Sequence, residues 1–449
     1  MFTYVKLKNY RSLDNVVFDL KETKDKVKRL VAVYGENGCG KTNLLKSFYF
    51  LRMLLDSFTG VEFEEKFNES FSKTNIGDFK SIIMGIFEDK LTSNIFKSSR
   101  TIDCDEDTEV EFGFAIDGHE GFYKIVFNDE IVFEKLYYFT GKQSGVVFEV
   151  SKESIKDPKL SPAIFKSVKI RNEVKEQISK YWGKHSLLAI TYDMYEKLNE
   201  EYVEENINQY LYDFHDMIIE TSILIEEAYV GAIIPSSKKI NFIEILENGE
   251  IDKEKEWLLN KSEIIINDFF TQTYSDIKKV IYKREALENK IKYHLMFYKN
   301  INGKVRLIPV EQESAGTRKV LSILKKLFRA FCGCTVIIDE IDNGIHDLLL
   351  KVIVDSMKKY ITGQLIFTTH NTSLLESLEP KMVYIINGNY DGNKEIVCLS
   401  EYKIQDHNSP RARYMKGLYG GIPFIDNVDY IEIINNLKSD KQEADKWDN

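Results

Sequence analysis

Gly35-Glu36-Asn37-Gly38-Cys39-Gly40-Lys41-Thr42 fits the pattern G-x-x-x-x-G-K-[ST]. Glycines let successive backbone N–H groups turn inward around phosphate oxygens, and a helix N-terminus behind them adds positive potential. In that setting Lys41 neutralises charge on the β- and γ-phosphates of a nucleotide such as ATP, and Thr42 offers a hydroxyl to Mg2+. A second cluster is Thr335-Val336-Ile337-Ile338-Asp339-Glu340, a β-branched run that ends in two acids. A strand buried on both faces delivers Asp339 to its carboxyl end, where sheet ligands bind, and Asp339 can hold Mg2+ there through water. Glu340, one residue further on, is placed to polarise an attacking water.

Two weaker signals complete the set. Glu313-Ser314-Ala315-Gly316-Thr317-Arg318 precedes a helical pattern, so Ser314 and the Gly316 backbone would form an anion site at a helix start. A plain Ser cap is the commoner meaning of such a sequence. His370, in Thr368-Thr369-His370-Asn371, follows an apolar run and reads either as a structural histidine at a strand end or as a sensor of the γ-phosphate.

These residues need a scaffold. Leu30 to Tyr34 predicts a buried strand, and Thr42 to Leu55 a helix after the glycine-rich turn. Phe2 to Leu20 reads as two strands around a turn at Arg11-Ser12-Leu13-Asp14. Thr108 to Thr140 reads as an antiparallel meander with an Asp117-Gly118 turn. From Ser151 to Asn300 the pattern is long, charged and helical, as in Leu187 to Ile225 and Ile251 to Ile281, with few glycines or prolines to break it. Beyond Val305 to Val310, a helix over Thr317 to Phe331 and strands at Thr335 to Ile338, Gln364 to Thr368 and Met382 to Ile386 restore an α/β order. The division expected is residues 1–150, an N-terminal lobe; 151–300, a helical insertion; and 301–449, a C-terminal lobe. The two lobes would share one nucleotide-binding sheet.

Composition sets the outer limits. The 449 residues are 43% hydrophobic with only 7 prolines, which excludes disordered and collagenous classes. A net charge of -10 argues against adhesion to a polyanion over the whole surface. No apolar run approaches the ~18 residues of a membrane span, and the start MFTYVKLKNYRSL lacks the apolar core of a signal peptide. A soluble protein with a cytoplasmic location and no membrane contact is expected. Cys39, Cys104, Cys332, Cys334 and Cys398 have neither disulfide nor zinc-like spacing, so reduced thiols are expected.

With these motifs in hand, the chain resembles the ABC-type ATPase heads, the group that includes the SMC and RecF proteins. The resemblance rests on Lys8-Asn9-Tyr10-Arg11-Ser12, the phosphate loop, Ser314-Ala315-Gly316, Asp339-Glu340 and His370. More narrowly, Ser314 to Arg318, Asp339 to His346 and Arg411 to Gly421 look like the ATPases of bacterial anti-phage and abortive-infection operons, RloA-like and PARIS-like subunits and the ATPase part of OLD-family proteins. The resemblance implies an α/β fold, an ABC-type P-loop head with a mixed sheet and an antiparallel β-meander, carrying a helical insertion. It implies ATP and Mg2+ as ligands, Gly35 to Thr42 with Ser314 and Gly316 around the nucleotide, Thr42 and Asp339 on the metal, and Glu340 and His370 as catalytic residues. It further implies a homo-oligomer, a dimer or higher, in which Ser314 and Gly316 of one subunit close over ATP held by Lys41 of another, with Asp342 to His346 crossing between subunits. A separately encoded effector protein would be the partner. No glutamine occurs before Gln143, so the glutamine that such ATPases use to sense Mg2+ and water has no counterpart. Only about 60 residues follow the Ile386 strand, and the late acids in Lys438 to Asn449 lie in a polar tail with no strand pattern around them, so a nuclease domain like that of OLD proteins is not expected here.

Two segments stand outside the motifs. Between Lys159 and Lys184, Lys159, Lys166, Lys169, Arg171, Lys175, Lys180 and Lys184 face only Glu173 and Glu176. Such a run is either a solvated helical face or a contact for DNA, RNA or an acidic protein. The stretch Arg411 to Pro423 combines cations, Tyr414 and glycines, and reads either as a docking surface for the effector or as a wedge folded back under the sheet. The function expected is an ATP-hydrolysing sensor or gate for a separate effector in anti-phage defence. A RecF-like DNA-repair clamp and a nucleotide-locked scaffold are the alternatives.

Overall fold

The computed structural model describes residues 1–58, 92–225, 246–389, 391–402, 409–422 and 430–435. Pro423 and the polar tail from Lys438 lie outside the described residues.

The central sheet has the order Ser222–Leu224, Thr335–Ile338, Gln364–Thr368, Leu30–Gly35, Val383–Gly388, Lys394–Cys398. All neighbours run parallel except the last pair. Successive residues of Leu30–Gly35 serve opposite cores: Val31 and Val33 join one apolar cluster, and Leu30, Ala32 and Tyr34 the other. Covering both faces is what requires an unbroken apolar strand, and it places every carboxyl end of the parallel strands on one rim.

One face is covered by a seven-stranded antiparallel sheet in the order Lys159–Leu160, Ser144–Ser151, Ile131–Phe139, His119–Phe127, Thr108–Ile116, Phe2–Lys8, Val16–Asp19. The helix Lys41–Leu55 is wedged between the two sheets. There Phe48 meets Phe2 edge-on at 4.9 Å and Phe112 at 5.9 Å. Gln364, fully buried, stitches the layers together: its Oε1 accepts from Phe2 N at 2.9 Å, and its Nε2 donates to the carbonyls of Phe2 and Lys28 at 2.9 and 3.1 Å. The two ends of the chain thus build one sheet, as the sequence suggests. The helices Ala315–Phe331 and Asp347–Tyr360 cover the other face.

The expected helical insertion over residues 151–300 is helical mainly in its first half. Helices Val168–Tyr181, Leu187–Lys197, Glu200–Asn206 and Gln209–Glu220 are present, but Leu187 to Ile225 is no single helix. Asn199 and Asn208 each cap a new helix, accepting from Glu201 N and Tyr210 N. The strand Ser222–Leu224 then joins the central sheet.

The larger correction falls on Ile251 to Ile281. Only Glu256–Thr273 is α-helix there. Strands Asn248–Asp252, Ile277–Ala286, Lys290–Ile301 and Lys304–Pro309 form an antiparallel sheet against that helix. A register shift between Ile277 and Lys279 sets the buried Ile277 and Val280 three positions apart, with only Lys278 and Lys279 between them, a spacing that imitates a helix. The turn Leu287 to Lys290 contains no glycine or proline to mark it.

Candidate functional site

At the carboxyl rim the strand Gln364–Thr368 lies between Leu30–Gly35 and Thr335–Ile338, so the phosphate loop, the Thr368–His370 corner and the acidic pair sit side by side. The loop conformation requires its glycines. Gly38 and Gly40 have φ of 78° and 104°. A Cβ on Gly40 would stand 2.8 Å from Leu13 Cδ2 and 3.2 Å from Ser12 Oγ. The N-terminal turn therefore packs directly on the loop, and Asn43 Nδ2 fastens it by donating to Ser12 Oγ at 2.8 Å. Asn37 and Gly38 form the exposed tip, while the Cys39 thiol is buried beneath the loop. What Cys39 can offer a phosphate is thus its backbone.

Lys41 begins the helix and is buried, its Nζ donating to the carbonyls of Gly35 and Glu36 at 2.9 Å each. Burial lowers its pKa, opposed by the charges of Cys39, Asp339, Glu340 and Asp342. Thr42 Oγ1 donates to Asp339 Oδ2 at 2.8 Å. Asp339 Oδ1 accepts from Thr368 Oγ1. A hydroxyl and a carboxylate oxygen converging beside Lys41 and the glycine-rich loop make a hard, oxygen-rich corner. Thr42 and Asp339 would suit a hard cation such as Mg2+ there, with phosphate and water oxygens supplying the remaining ligands. Among the described residues no cluster of three His, Cys, Asp or Glu could hold a metal without such help.

Glu340 adopts φ 47°, a left-handed conformation that costs a non-glycine residue about 1–3 kcal/mol. Thr368 holds it there, because its Oγ1 accepts from Glu340 N at 2.7 Å and its carbonyl accepts from Ile341 N at 3.1 Å. Two hydrogen bonds of about 1 kcal/mol net each roughly balance the strain. The Glu340 carboxylate has no hydrogen bond among the described residues and its residue is only partly buried, which leaves it open to water. Asp342 turns back toward the site: its carboxylate accepts from His370 N at 3.2 and 3.4 Å. Burial and the charge of Lys41 lower the His370 pKa, against the acids Asp342, Glu340 and Asp339.

Ser314 caps the helix Ala315–Phe331, accepting from Thr317 N at 3.1 Å. Behind it the buried Glu313 pairs with Lys299 at 2.7 Å. A Cβ on Gly316 would stand 3.1 Å from the Gly344 carbonyl, so Gly316 and the Asp342 to His346 turn are neighbours. Ser314 is exposed, and among the described residues no hydrogen bond joins it or Gly316 to the phosphate loop.

The structure thus brings Lys41, Thr42, Asp339, Glu340 and His370 together and leaves Ser314 and Gly316 outside the cluster of their own chain. Sequence reasoning missed Thr368 and the contact of Asp342 with His370, although Thr368-Thr369 before His370 was a visible hydroxyl pair at a strand end. The basic run is largely compensated locally: Lys159 with Glu149, Lys169 with Glu173 at 3.8 Å, Lys175 with Asp157 at 2.7 Å, Lys180 with Glu176 at 2.6 Å. Arg171 Nη1 donates to the Phe165 carbonyl at 2.6 Å, and Lys166 Nζ to the Glu204 carbonyl at 2.9 Å. All five cysteines are free, and no helix among the described residues is long and apolar enough to cross a membrane.

Among solved structures, the SMC head domain from Thermotoga maritima is similar, with 12% sequence identity and a TM-score of 0.37, over 88% of this chain and 98% of that chain. No curated protein matches. A family model described as "AAA domain, putative AbiEii toxin, Type IV TA system" matches residues 30–376. That span opens on the strand leading into the phosphate loop and closes after His370, taking in the acidic pair and most of the chain, and on this evidence the protein belongs to that family of AAA, P-loop ATPase domains.

Proposed function

We propose that the protein hydrolyses ATP at Gly35 to Thr42, in an ABC-type arrangement completed by Ser314 and Gly316 of a second copy. The observation that carries the reading is the hydrogen bond from Thr42 Oγ1 to Asp339 Oδ2 at 2.8 Å, with Lys41 buried beside it. The loop amides and Lys41 bind the phosphates. Thr42 and Asp339 would hold Mg2+, which when bound offsets charge on the phosphate oxygens. Glu340, held by Thr368, orients a water and accepts its proton. His370, its backbone N–H bonded to Asp342, offers its imidazole for a hydrogen bond near the terminal phosphate.

The exposure of Ser314, whose hydrogen bonds among the described residues stay inside its own turn, supports a role toward another subunit. The family description names a toxin of a type IV system, which supports the further reading that ATP turnover gates a separately encoded effector in anti-phage defence.

Phosphate release measured alongside mass by light scattering tests the proposal. Wild type should turn over ATP, Lys41→Ala should lose at least about tenfold in kcat/KM, and ATP should at least double the mass of Glu340→Gln. A monomer at saturating ATP would overturn the shared site, and turnover equal in wild type and Lys41→Ala would overturn the assignment of the loop.

A further inference from the structure

The phosphate loop is backed by a wall that its own sequence does not supply. The chain returns at Ser409, whose side chain caps the short helix Pro410–Met415 by accepting from Ala412 N. Tyr414 of that helix is only 6% exposed. Its ring meets the Tyr34 ring edge-on at 5.7 Å, and its hydroxyl donates to the Gly421 carbonyl at 2.8 Å. Tyr34 immediately precedes Gly35, and its own hydroxyl donates to the carbonyl of Asn371, the residue after His370, at 2.9 Å. One aromatic pair therefore touches the root of the phosphate loop, the His370 corner and the C-terminal segment.

The glycines of that segment explain how closely it approaches. Gly421 has φ 68°, and a Cβ there would stand 3.4 Å from Gly35 Cα and 2.7 Å from Ile385 Cγ2. On Gly420 a Cβ would collide with Asn387 Oδ1 at 2.3 Å. Asn387 Nδ2 and the Tyr402 hydroxyl both donate to the Tyr419 carbonyl, at 3.1 and 3.0 Å, and fix the turn ahead of the glycines. At the other end Arg411 Nε donates to Thr372 Oγ1 at 3.2 Å, in the helical turn that follows His370. Burial, with smaller contributions from Cys39 and Glu36 of the loop, pushes the Tyr414 hydroxyl up to about 12. It stays a donor throughout the neutral range. These contacts place Tyr414 inside the molecule, so the docking surface imagined for Arg413 and Tyr414 is instead, at Tyr414, the folded-back wedge.

We infer that Ser409–Ile422 is a positioning element of the nucleotide site, in which Tyr414 sets the phosphate loop through Gly421 and sets the loop and the His370 corner together through Tyr34. The inference rests on the reading of Gly35 to Thr42 as an ATP site. Tyr414 touches no reacting atom, and its effect passes through the backbone of Gly35 and the carbonyl of Asn371.

Tyr414→Phe isolates the effect, because it keeps the ring against Tyr34 and deletes only the bond to Gly421. Titration with a fluorescent ATP analogue should give a Kd raised about three- to tenfold, the loss of one hydrogen bond's net worth. KM for ATP should rise in parallel, and Tm should stay within about 3 °C of wild type. Gly421→Ala, which inserts a methyl group toward Gly35 and Ile385, should raise Kd at least as far. A Tyr414→Phe protein with unchanged Kd and KM overturns the inference whether or not Tm falls, since a purely structural wedge would move Tm alone. Should wild type itself fail to bind the analogue, the assignment of the ATP site fails and takes this inference with it, and that outcome is recognisable because it precedes any substitution.

Discussion

The hydroxyl of Thr42 and the carboxylate of Asp339 meet at 2.8 Å across 297 positions of sequence. Neither residue is informative alone, since a threonine that begins a helix and an acid that ends a strand are both ordinary. Their meeting depends on Gln364–Thr368 inserting between the two parent strands and on Thr368 binding the other carboxylate oxygen.

Thr368 should therefore matter nearly as much as the acids it holds. Thr368→Val keeps the shape but leaves Glu340 N and one oxygen of Asp339 without a partner. We expect kcat to fall about tenfold or more while KM changes less than about threefold, because the damage is to the water-orienting acid. Steady-state kinetics check this, and an unchanged kcat would release Thr368 from its role.

Catalysis across subunits predicts complementation. A Ser314→Arg chain mixed with a Lys41→Ala chain can form one composite site with an intact half from each. ATPase should return on mixing, toward about a quarter of the wild-type rate if subunits pair at random and one of two sites in half the dimers is intact. Mixed oligomers that remain inactive would place both halves in one chain.

The ion pairs along Lys159 to Lys184 predict a plain result for charge reversal. Lys169→Glu with Lys175→Glu breaks two solvent-exposed pairs, which contribute little to stability. Binding to a duplex oligonucleotide and ATP turnover should both stay as in wild type across a salt titration. A weaker affinity with a shallower salt dependence would instead mark these lysines as a polyanion contact.

Two buried histidines should weaken the fold as pH falls. Burial holds His215 down at about 3 and, with a smaller contribution from the charge of Lys184, His185 down at about 4, whereas both approach 6.5 in an unfolded chain. The folded protein thus binds fewer protons over that interval. Stability from these sites is complete above pH 6.5 and declines as pH falls toward 4 and 3, by up to about 1.4 kcal/mol per pH unit per histidine. Urea midpoints at pH 7.5, 6 and 5 should fall in that order, and His215→Gln should flatten the decline. An equal slope in the variant would remove His215 from the account.

The phosphate loop, the acidic strand end and the strands around them were legible because each is a local pattern enforced by chemistry. Glycines must turn amides inward, and a strand covered on both faces must be apolar throughout. The middle region was legible as helix up to Glu220, though not its division into short helices, and again over Glu256–Thr273. Beyond it, the register shift at Ile277 and a hairpin turn without glycine erased the alternation that marks strands. What the sequence determined by itself was which chemical groups are present and which short elements carry them. Tertiary structure alone decided that Thr368 clamps Asp339 and Glu340, that Asp342 holds the His370 corner, and that Tyr414 returns from the far end of the chain to lie behind Gly35. Such pairings follow from strand order and close approach of backbones, and those arise from packing the whole chain rather than from any window of it.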